Sequence, residues 1–239
     1  MALFGFLSRK AAPLDPKVAG QVYELGCAYV RDPDNRIHVE DLISALAAAL
    51  GEACLRQVGQ ADIDDPRSIP GGRVLSDAVN DMLCGDQADW AKAPAQSVFG
   101  IIHHYALVGG YAPADFPPMG EVFRAFVAGL ARETEWGWVP LSTPEANRPI
   151  VRPLQAAYDL REPLESIWAQ HKVAPGDRTG VLALALAKTL AAVREAIAPG
   201  IAVRLALETV NAMAKTYPVN ATHMRQMKAD AAGDGPAQA

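Results

Sequence analysis

The stretch VLALALAKTLAAVREAIAPGIAVRLALETVNAMA, residues 181–214, decides the fold class. It begins by alternating leucine with alanine, and this period of two is also typical of a β-strand. Alanine and leucine favour helix, however, and the apolar pattern continues far beyond the length of a strand. Ala-Pro-Gly at 198–200 interrupts the pattern once, so residues 177–217 are predicted to form an αα-hairpin.

Helical signals also mark the first part of the chain. Asp15 followed by Pro16 is a good helix start, because aspartate caps free N–H groups and proline fits the first helical position. This helix is predicted to end near Arg31. From His38 to Gln57, apolar residues recur at spacings of three and four on an alanine-rich background, which predicts the most secure helix of the chain.

The fold class follows from the same pattern elsewhere and from the scarcity of strand signals. The sequence predicts an all-α fold: one globular domain of eight or nine helices packed as hairpins, with little or no β-structure. Further helices are predicted at residues 76–83, 94–108, 122–132 and 153–171, the last as one or two helices broken near Pro163.

The chain is predicted to have three parts: an N-terminal apolar arm at residues 1–14, a helical domain at 15–217 and a C-terminal extension at 218–239, disordered at its end. The arm begins MALFGFLSRK, in which charge follows the apolar residues, the reverse of a secretory signal. It is far shorter than the 20 or so residues of a membrane span. We expect it to dock on this chain or on a partner, with weak peripheral membrane contact through residues 1–10 as the alternative.

The charge distribution argues against nucleic acid as a partner. The net charge is −5, and residues 31–90 hold five Lys/Arg and twelve Asp/Glu, a net charge of −7. Binding to nucleic acid needs clustered Lys and Arg to neutralise phosphates, and the sequence has no such cluster. The acidic residues are interpreted as a solvated face.

The cysteines are interpreted as small buried hydrophobic residues. Cys27, Cys54 and Cys84 are odd in number, widely spaced and without a Cys-x-x-Cys pair. Neither a disulfide framework nor a zinc site is predicted, and the pattern is typical of a protein in the reducing cytoplasm.

Two adjacent histidines, His103 and His104, stand in the apolar run SVFGIIHHYALV at residues 97–108. Neighbouring side chains on a helix point about 100° apart, so the pair is not suited to chelating one ion, and no second ligand lies three or four residues away. No metal site is predicted. His103 is interpreted as a satisfied core or interface histidine, while a pKa near neutrality keeps a role as ligand or general base open.

The most ligand-like surface feature is the pair Trp136 and Trp138 with Arg148 and Arg152 nearby. Tryptophan rings beside guanidinium groups can line a pocket or anchor an interface. The alternative is that both rings cap the core beneath a long loop.

No catalytic motif is present, so neither catalytic residues nor a cofactor is predicted. The first hypothesis is a self-associating interaction or binding module with a possible protein partner. Its basis is the helix at 97–108, which is apolar on two sides, and the hairpin at 177–217, whose apolar residues spread over more of each helix than one buried stripe needs, as in a homodimer. The alternative is a small-molecule-binding protein or enzyme with a pocket that uses His103, His104, Trp136 and Trp138.

Overall fold

The computed structural model describes residues 14–59, 69–85, 89–90, 92–130 and 136–225. Eight α-helices lie within these ranges, and residues 221–225 form a further helical turn. The described residues form two isolated β-bridges and no strand. The predicted all-α fold of eight or nine helices is therefore confirmed. The helices are α1 Pro16–Val30, α2 Val39–Gln57, α3 Asp77–Cys84, α4 Val98–Val108, α5 Met119–Leu130, α6 Pro153–His171, α7 Arg178–Val193 and α8 Pro199–Met213.

Helix α2 is the central element of the fold. Fifteen of its 19 residues are buried. Helices α6, α7 and α8 pack around it, α1 packs on α7, α4 packs on α7, and α5 packs on α8. Helices α7 and α8 follow each other as the sequence predicts, but each packs mainly on other helices rather than on its neighbour.

The apolar side chains of α7 and α8 are covered within the chain. Helices α1, α2 and α4 cover α7, whereas α2 and α5 cover α8. The surface that motivated self-association through residues 177–217 is therefore not open to solvent, and the homodimer stays a prediction without that support. The buried members are Val181, Leu182, Leu184, Leu186, Leu190, Val193, Val203, Leu205, Leu207 and Val210.

The starts of two helices and one predicted break differ from the structure. Helix α5 begins at Met119, three residues before the predicted start. Helix α4 begins at Val98, not at residue 94, because the Ser97 hydroxyl accepts a hydrogen bond from the N–H of Gly100 and caps the helix there. Helix α6 continues through Pro163, where a break was expected. Buried Leu160 and Leu164 on either side hold its apolar face in the core, which offsets the lost backbone hydrogen bond.

Buried acidic residues on α2 are exceptions to the solvated face predicted for residues 31–90, where Asp34 and Asp77 are exposed. Glu40 and Asp41 are buried. The Asp41 carboxylate accepts hydrogen bonds from the backbone N–H groups of Ile150 (2.6 Å) and Val151 (2.8 Å), and Glu40 accepts one from the Asn147 amide (3.0 Å). These carboxylates fix the loop before α6, because buried charges need such partners.

The three cysteines are free and buried, as predicted. They lie on α1, α2 and α3, where Cys54 is fully enclosed in the core. Burial raises the pKa of the Cys54 thiol to about 12, so this group stays protonated and behaves as a small apolar side chain.

The ends of the chain are described only in part. The predicted arm at residues 1–14 lies outside the described residues except for Leu14, which packs against the main core. In the predicted C-terminal extension Val219 and Met224 are buried, whereas residues 226–239 lie outside the described part. No helix in the described ranges is both long and apolar enough to cross a membrane.

Helices α2 and α8 cross at Gly51 with their backbones in close contact. A Cβ atom at position 51 would lie 2.6 Å from the Cβ of Met213, 2.7 Å from the carbonyl oxygen of Val210 and 2.9 Å from the backbone nitrogen of Ala214. Such distances are shorter than van der Waals contact, and two of these atoms belong to the helix backbone. Only glycine permits this crossing.

Gly51→Ala is therefore expected to lower the free energy of unfolding by about 1–3 kcal/mol, because α8 must move away from α2. In an unobstructed helix the same substitution stabilises by about 0.5–1 kcal/mol. Gly120→Ala near the start of α5 is the matched control, since its Cβ would meet only the Arg124 guanidinium at 3.7 Å. Equilibrium urea unfolding measures both. A Gly51→Ala variant as stable as the parent would contradict the close crossing.

Candidate functional site

A cavity of about 620 Å³ opens between α2, α6 and the start of α7. Its floor is apolar and includes Trp168, which is only 4% exposed. Three arginines and two glutamates stand around this floor. This arginine cavity is lined by Ala49, Glu52, Ala53, Arg56, Gln57, Ala157, Arg161, Leu164, Glu165, Trp168, Ala174, Pro175, Gly176, Arg178 and Leu182.

Hydrogen bonds hold the start of α7 against the end of α2. The Thr179 hydroxyl donates to the Gln57 side-chain oxygen at 3.0 Å, and the Gln57 amide donates to the carbonyl oxygen of Gly176 at 3.3 Å. Arg56 in the last turn of α2 and Arg178, the first residue of α7, are thereby brought to the same wall. The positive end of the α7 helix dipole adds to the potential of these two cations.

Arg161 is fully engaged inside the cavity. Its Nε and Nη2 atoms donate to the two carboxylate oxygens of Glu52 at 2.7 and 3.0 Å, and Nη2 also donates to the carbonyl oxygen of Val219. The Glu52 side chain is 5% exposed. A two-pronged bond to a buried carboxylate is a strong and rigid contact, so this pair is part of the framework.

Arg56 and Arg178 share a single carboxylate. Oxygen Oε1 of Glu165 lies 2.9 Å from Nη1 of Arg178 and 3.7 Å from Nη1 of Arg56. The Nε atom of Arg178 is buried and has no hydrogen-bond partner among the described residues. The Arg178 side chain as a whole is 27% exposed and lines the cavity.

The charges that line the arginine cavity do not cancel. Three guanidinium groups face two carboxylates, and one carboxylate belongs to the Arg161 pair, so two arginines compete for Glu165. The described lining of the cavity therefore has a surplus of one positive charge above an apolar floor. Such a site can hold an anionic group and enclose the apolar part of the same molecule.

A second depression of about 620 Å³ near Pro117 has no such surplus. Its one arginine, Arg204, lies 3.1 Å from a carboxylate oxygen of Glu121 and 3.5 Å from one of Glu208. Glu208 also accepts hydrogen bonds from the backbone N–H and the hydroxyl of Ser142. These contacts attach a loop to α8, and this depression is the weaker candidate.

His103 lies in an aromatic cluster. Its ring stacks on Trp90 with centroids 5.7 Å apart and meets the edge of Phe116 at 4.6 Å. Burial and the neighbouring His104 lower the pKa of His103, which favours the neutral ring. His104 is exposed and contacts the ring of Tyr105. The two side chains thus point in different directions, as the helical geometry predicts.

The structure brings together only part of the predicted group of two tryptophans and two arginines. The Arg152 guanidinium lies over the Trp136 ring, 5.8 Å from its centroid, while Arg148 is exposed. Trp136 packs against a small core cluster, and Trp138 is half-buried. Partial burial of both rings agrees with the interpretation that they cap the core.

Histidines and tryptophans do not converge in the described part of the chain. No hydrogen bond, ion pair or ring contact there joins His103 or His104 to Trp136 or Trp138. No group of three or more His, Cys, Asp or Glu side chains among the described residues is placed to hold a metal ion. The binding role of the six predicted residues, which include Arg148 and Arg152, stays a prediction.

Sequence analysis missed the arginine cavity. Arg161 and Glu165 stand four residues apart on one helix, and that spacing is an ordinary surface ion pair. In the structure Arg161 pairs instead with Glu52, and the arginines that contact Glu165 come from other helices, Arg56 from α2 and Arg178 from α7. The one local signal is Arg178 itself, a basic residue at the first position of a helix, where acidic residues are preferred.

Comparison with protein-family models, curated proteins and solved structures finds no match to this chain. The assignment of a function therefore depends on the chemistry of its own residues.

A buried lysine outside the cavity gives the fold a pH-dependent stability. Lys215 is 6% exposed, and its amine donates to the Asn211 side-chain oxygen at 2.7 Å and lies 4.3 Å from the centroid of the Phe123 ring. No carboxylate in the described residues forms an ion pair with it. Burial lowers the pKa of the Lys215 amine from 10.5 to about 8. Folding therefore opposes protonation of this side chain.

Lys215→Met is expected to remove part of the alkaline stabilisation. Below the folded-state pKa of about 8 both states are protonated and the cost of burial is complete. Between pH 8 and 10.5 the unfolded chain binds more protons, so stability rises with pH. Relative to the variant, the parent should gain about 2 kcal/mol between about pH 7 and about pH 9.5 in urea unfolding.

The difference between parent and variant cancels the contributions of buried tyrosines and cysteines, which titrate in the same range. Lys17→Met, at an exposed position of α1, is the control and should leave the pH profile unchanged. Parallel pH profiles for the parent and Lys215→Met would show that the Lys215 amine titrates normally.

Proposed function

We propose that this protein is a binding protein for a small organic anion, and that the ligand occupies the arginine cavity. The observation that carries the proposal is that Arg56 and Arg178 share the single carboxylate of Glu165 on one wall, which leaves one positive charge in surplus among the described lining residues. A cavity of about 620 Å³ falls within the usual range for small-molecule sites, roughly 300–1,000 Å³.

The composition of the lining supports an amphipathic ligand. The floor offers an indole and several aliphatic side chains, on which an apolar or aromatic body can pack. Arg56 and Arg178 stand at one side of this floor, and their guanidinium groups bind an anionic head group. A ligand with an apolar body and an anionic head group contacts both the floor and the arginines, whereas an inorganic anion leaves the apolar floor exposed to water.

Binding is proposed rather than catalysis because the cavity holds no acid–base pair or nucleophile. Its described lining contains no histidine, cysteine, serine or lysine, and both of its carboxylates are paired with arginine. This fits the hypothesis of a binding module with no catalytic motif. The arginine cavity replaces the predicted pocket of histidines and tryptophans as the preferred small-molecule site.

An anionic aromatic probe tests the proposal. 8-Anilino-1-naphthalenesulfonate is expected to bind the folded protein saturably, with one molecule per chain, in a fluorescence titration. Ala53→Phe places a ring inside the cavity without changing its charge, and it should weaken binding at least about tenfold. Ala128→Phe, at an exposed position of α5, is the matched control and should bind like the parent.

Charge is tested separately from volume. Arg178→Gln should weaken binding of the same probe about tenfold, whereas Arg124→Gln, at an exposed position of α5, should leave it unchanged. Thermal unfolding monitored by circular dichroism shows that each variant is folded. Saturable binding that survives both Ala53→Phe and Arg178→Gln would place the ligand elsewhere, and absence of binding by the parent would refute the proposal.

A further inference from the structure

We infer that the ligand is a monocarboxylate with an apolar body, and that Glu165 is a resident carboxylate which the ligand displaces from Arg56 and Arg178. This inference rests on the proposed function, because it names the ligand class of the same cavity and the residue that sets its affinity.

The position of Glu165 shows which chemical group fits between the two arginines. Its Oε1 atom accepts a hydrogen bond from Arg178 at 2.9 Å and lies 3.7 Å from Arg56. A carboxylate oxygen is therefore already accommodated there. The carboxylate of a ligand can take the same place and make the same bonds.

Glu165 is held far more loosely than the other glutamate of the cavity. Glu52 is 5% exposed and binds Arg161 through both oxygens. The Glu165 side chain is 41% exposed, and a single one of its oxygens is engaged by described partners. Rotation of Glu165 into water costs little, because exposed ion pairs contribute only weakly to stability. Displacement of Glu52 would leave the partly buried Arg161 without its carboxylate partner.

The charge of the cavity selects a monoanion. A Glu165 side chain that has rotated into water stays on α6 beside the cavity, so the described lining still holds three arginines against two glutamates, a surplus of one positive charge that a single carboxylate neutralises. A phosphate monoester brings close to two negative charges near Glu52 and Glu165 and exceeds that surplus. The apolar floor around Leu164 and Trp168 then favours an acid with an aliphatic or aromatic body over a small polar acid.

Binding of 3-phenylpropanoate, measured by isothermal titration calorimetry, tests the inference. Glu165→Gln removes the competing charge, so the affinity for 3-phenylpropanoate should rise about fivefold, the scale of an exposed ion pair. The affinity for the neutral isostere 3-phenylpropanamide should not rise. Phenyl phosphate should bind the parent more weakly than 3-phenylpropanoate does.

Glu162→Gln is the matched control. Glu162 is exposed on the same helix, three residues before Glu165, and it does not line the cavity. Glu162→Gln removes the same charge as Glu165→Gln does, and its effect on affinity should stay below about twofold, because water and salt screen exposed charges. A similar gain in both variants would mean that net charge alone sets the affinity, which contradicts displacement.

The remaining outcomes separate the two proposals. If the parent binds 3-phenylpropanoate and Ala53→Phe abolishes binding, but Glu165→Gln leaves affinity unchanged or lowers it, displacement is wrong and the cavity is still the binding site. If phenyl phosphate binds more tightly, the ligand class is wrong. If the parent binds neither of these probes nor the naphthalenesulfonate, the proposed function fails together with this inference.

Discussion

The crossing of α2 and α8 at Gly51 is the contact on which the rest of the structure depends. With no side chain at this position, the two helix backbones touch, and α2 is drawn into the centre of the domain. Its other faces then become available to α6 and α7. The apolar surfaces of α7 and α8 are covered because the central helix lies between their neighbours, and no second subunit is required to cover them.

Helix α2 lies at the centre of the domain and carries buried polar residues that need hydrogen-bond partners. The residues that supply these partners also position the candidate site. Glu40 and Asp41 fix the loop before α6, and Glu52 holds Arg161 at the cavity wall. Unpaired, such buried carboxylates would cost several kcal/mol each, so the loop and α6 are tied to α2 by electrostatic need as well as by apolar packing. The packing of α6 on α2 therefore sets the framework of the arginine cavity. Arg56, Arg178 and Glu165 do not belong to that framework.

Local signals predicted the helices well, because caps and apolar spacing act within a few residues. Asp15 accepts the hydrogen bond from Lys17 N–H that its position predicts, and α1 runs to Val30. Tertiary contacts could not be predicted in this way. An all-round apolar helix indicates either a central position or an interface, and the choice depends on distant helices. The burial of Glu40 and Asp41 likewise depends on a loop more than 100 residues away.

Residue type did not identify the site. A ligand binds to charges and hydrogen-bonding groups that the fold does not already use, and residue type alone does not show which groups these are. Histidine and tryptophan attract attention by their chemistry, yet His103 stacks on Trp90 and meets the edge of Phe116, and Trp136 lies beneath Arg152. Arginine is common and usually solvated, yet Arg56 and Arg178 share one carboxylate beside a cavity. Guanidinium groups that share a carboxylate retain bonding capacity, which an anionic ligand can use. Surplus charge beside an apolar cavity, rather than a reactive side chain, therefore marks the place where we propose that this fold recognises another molecule.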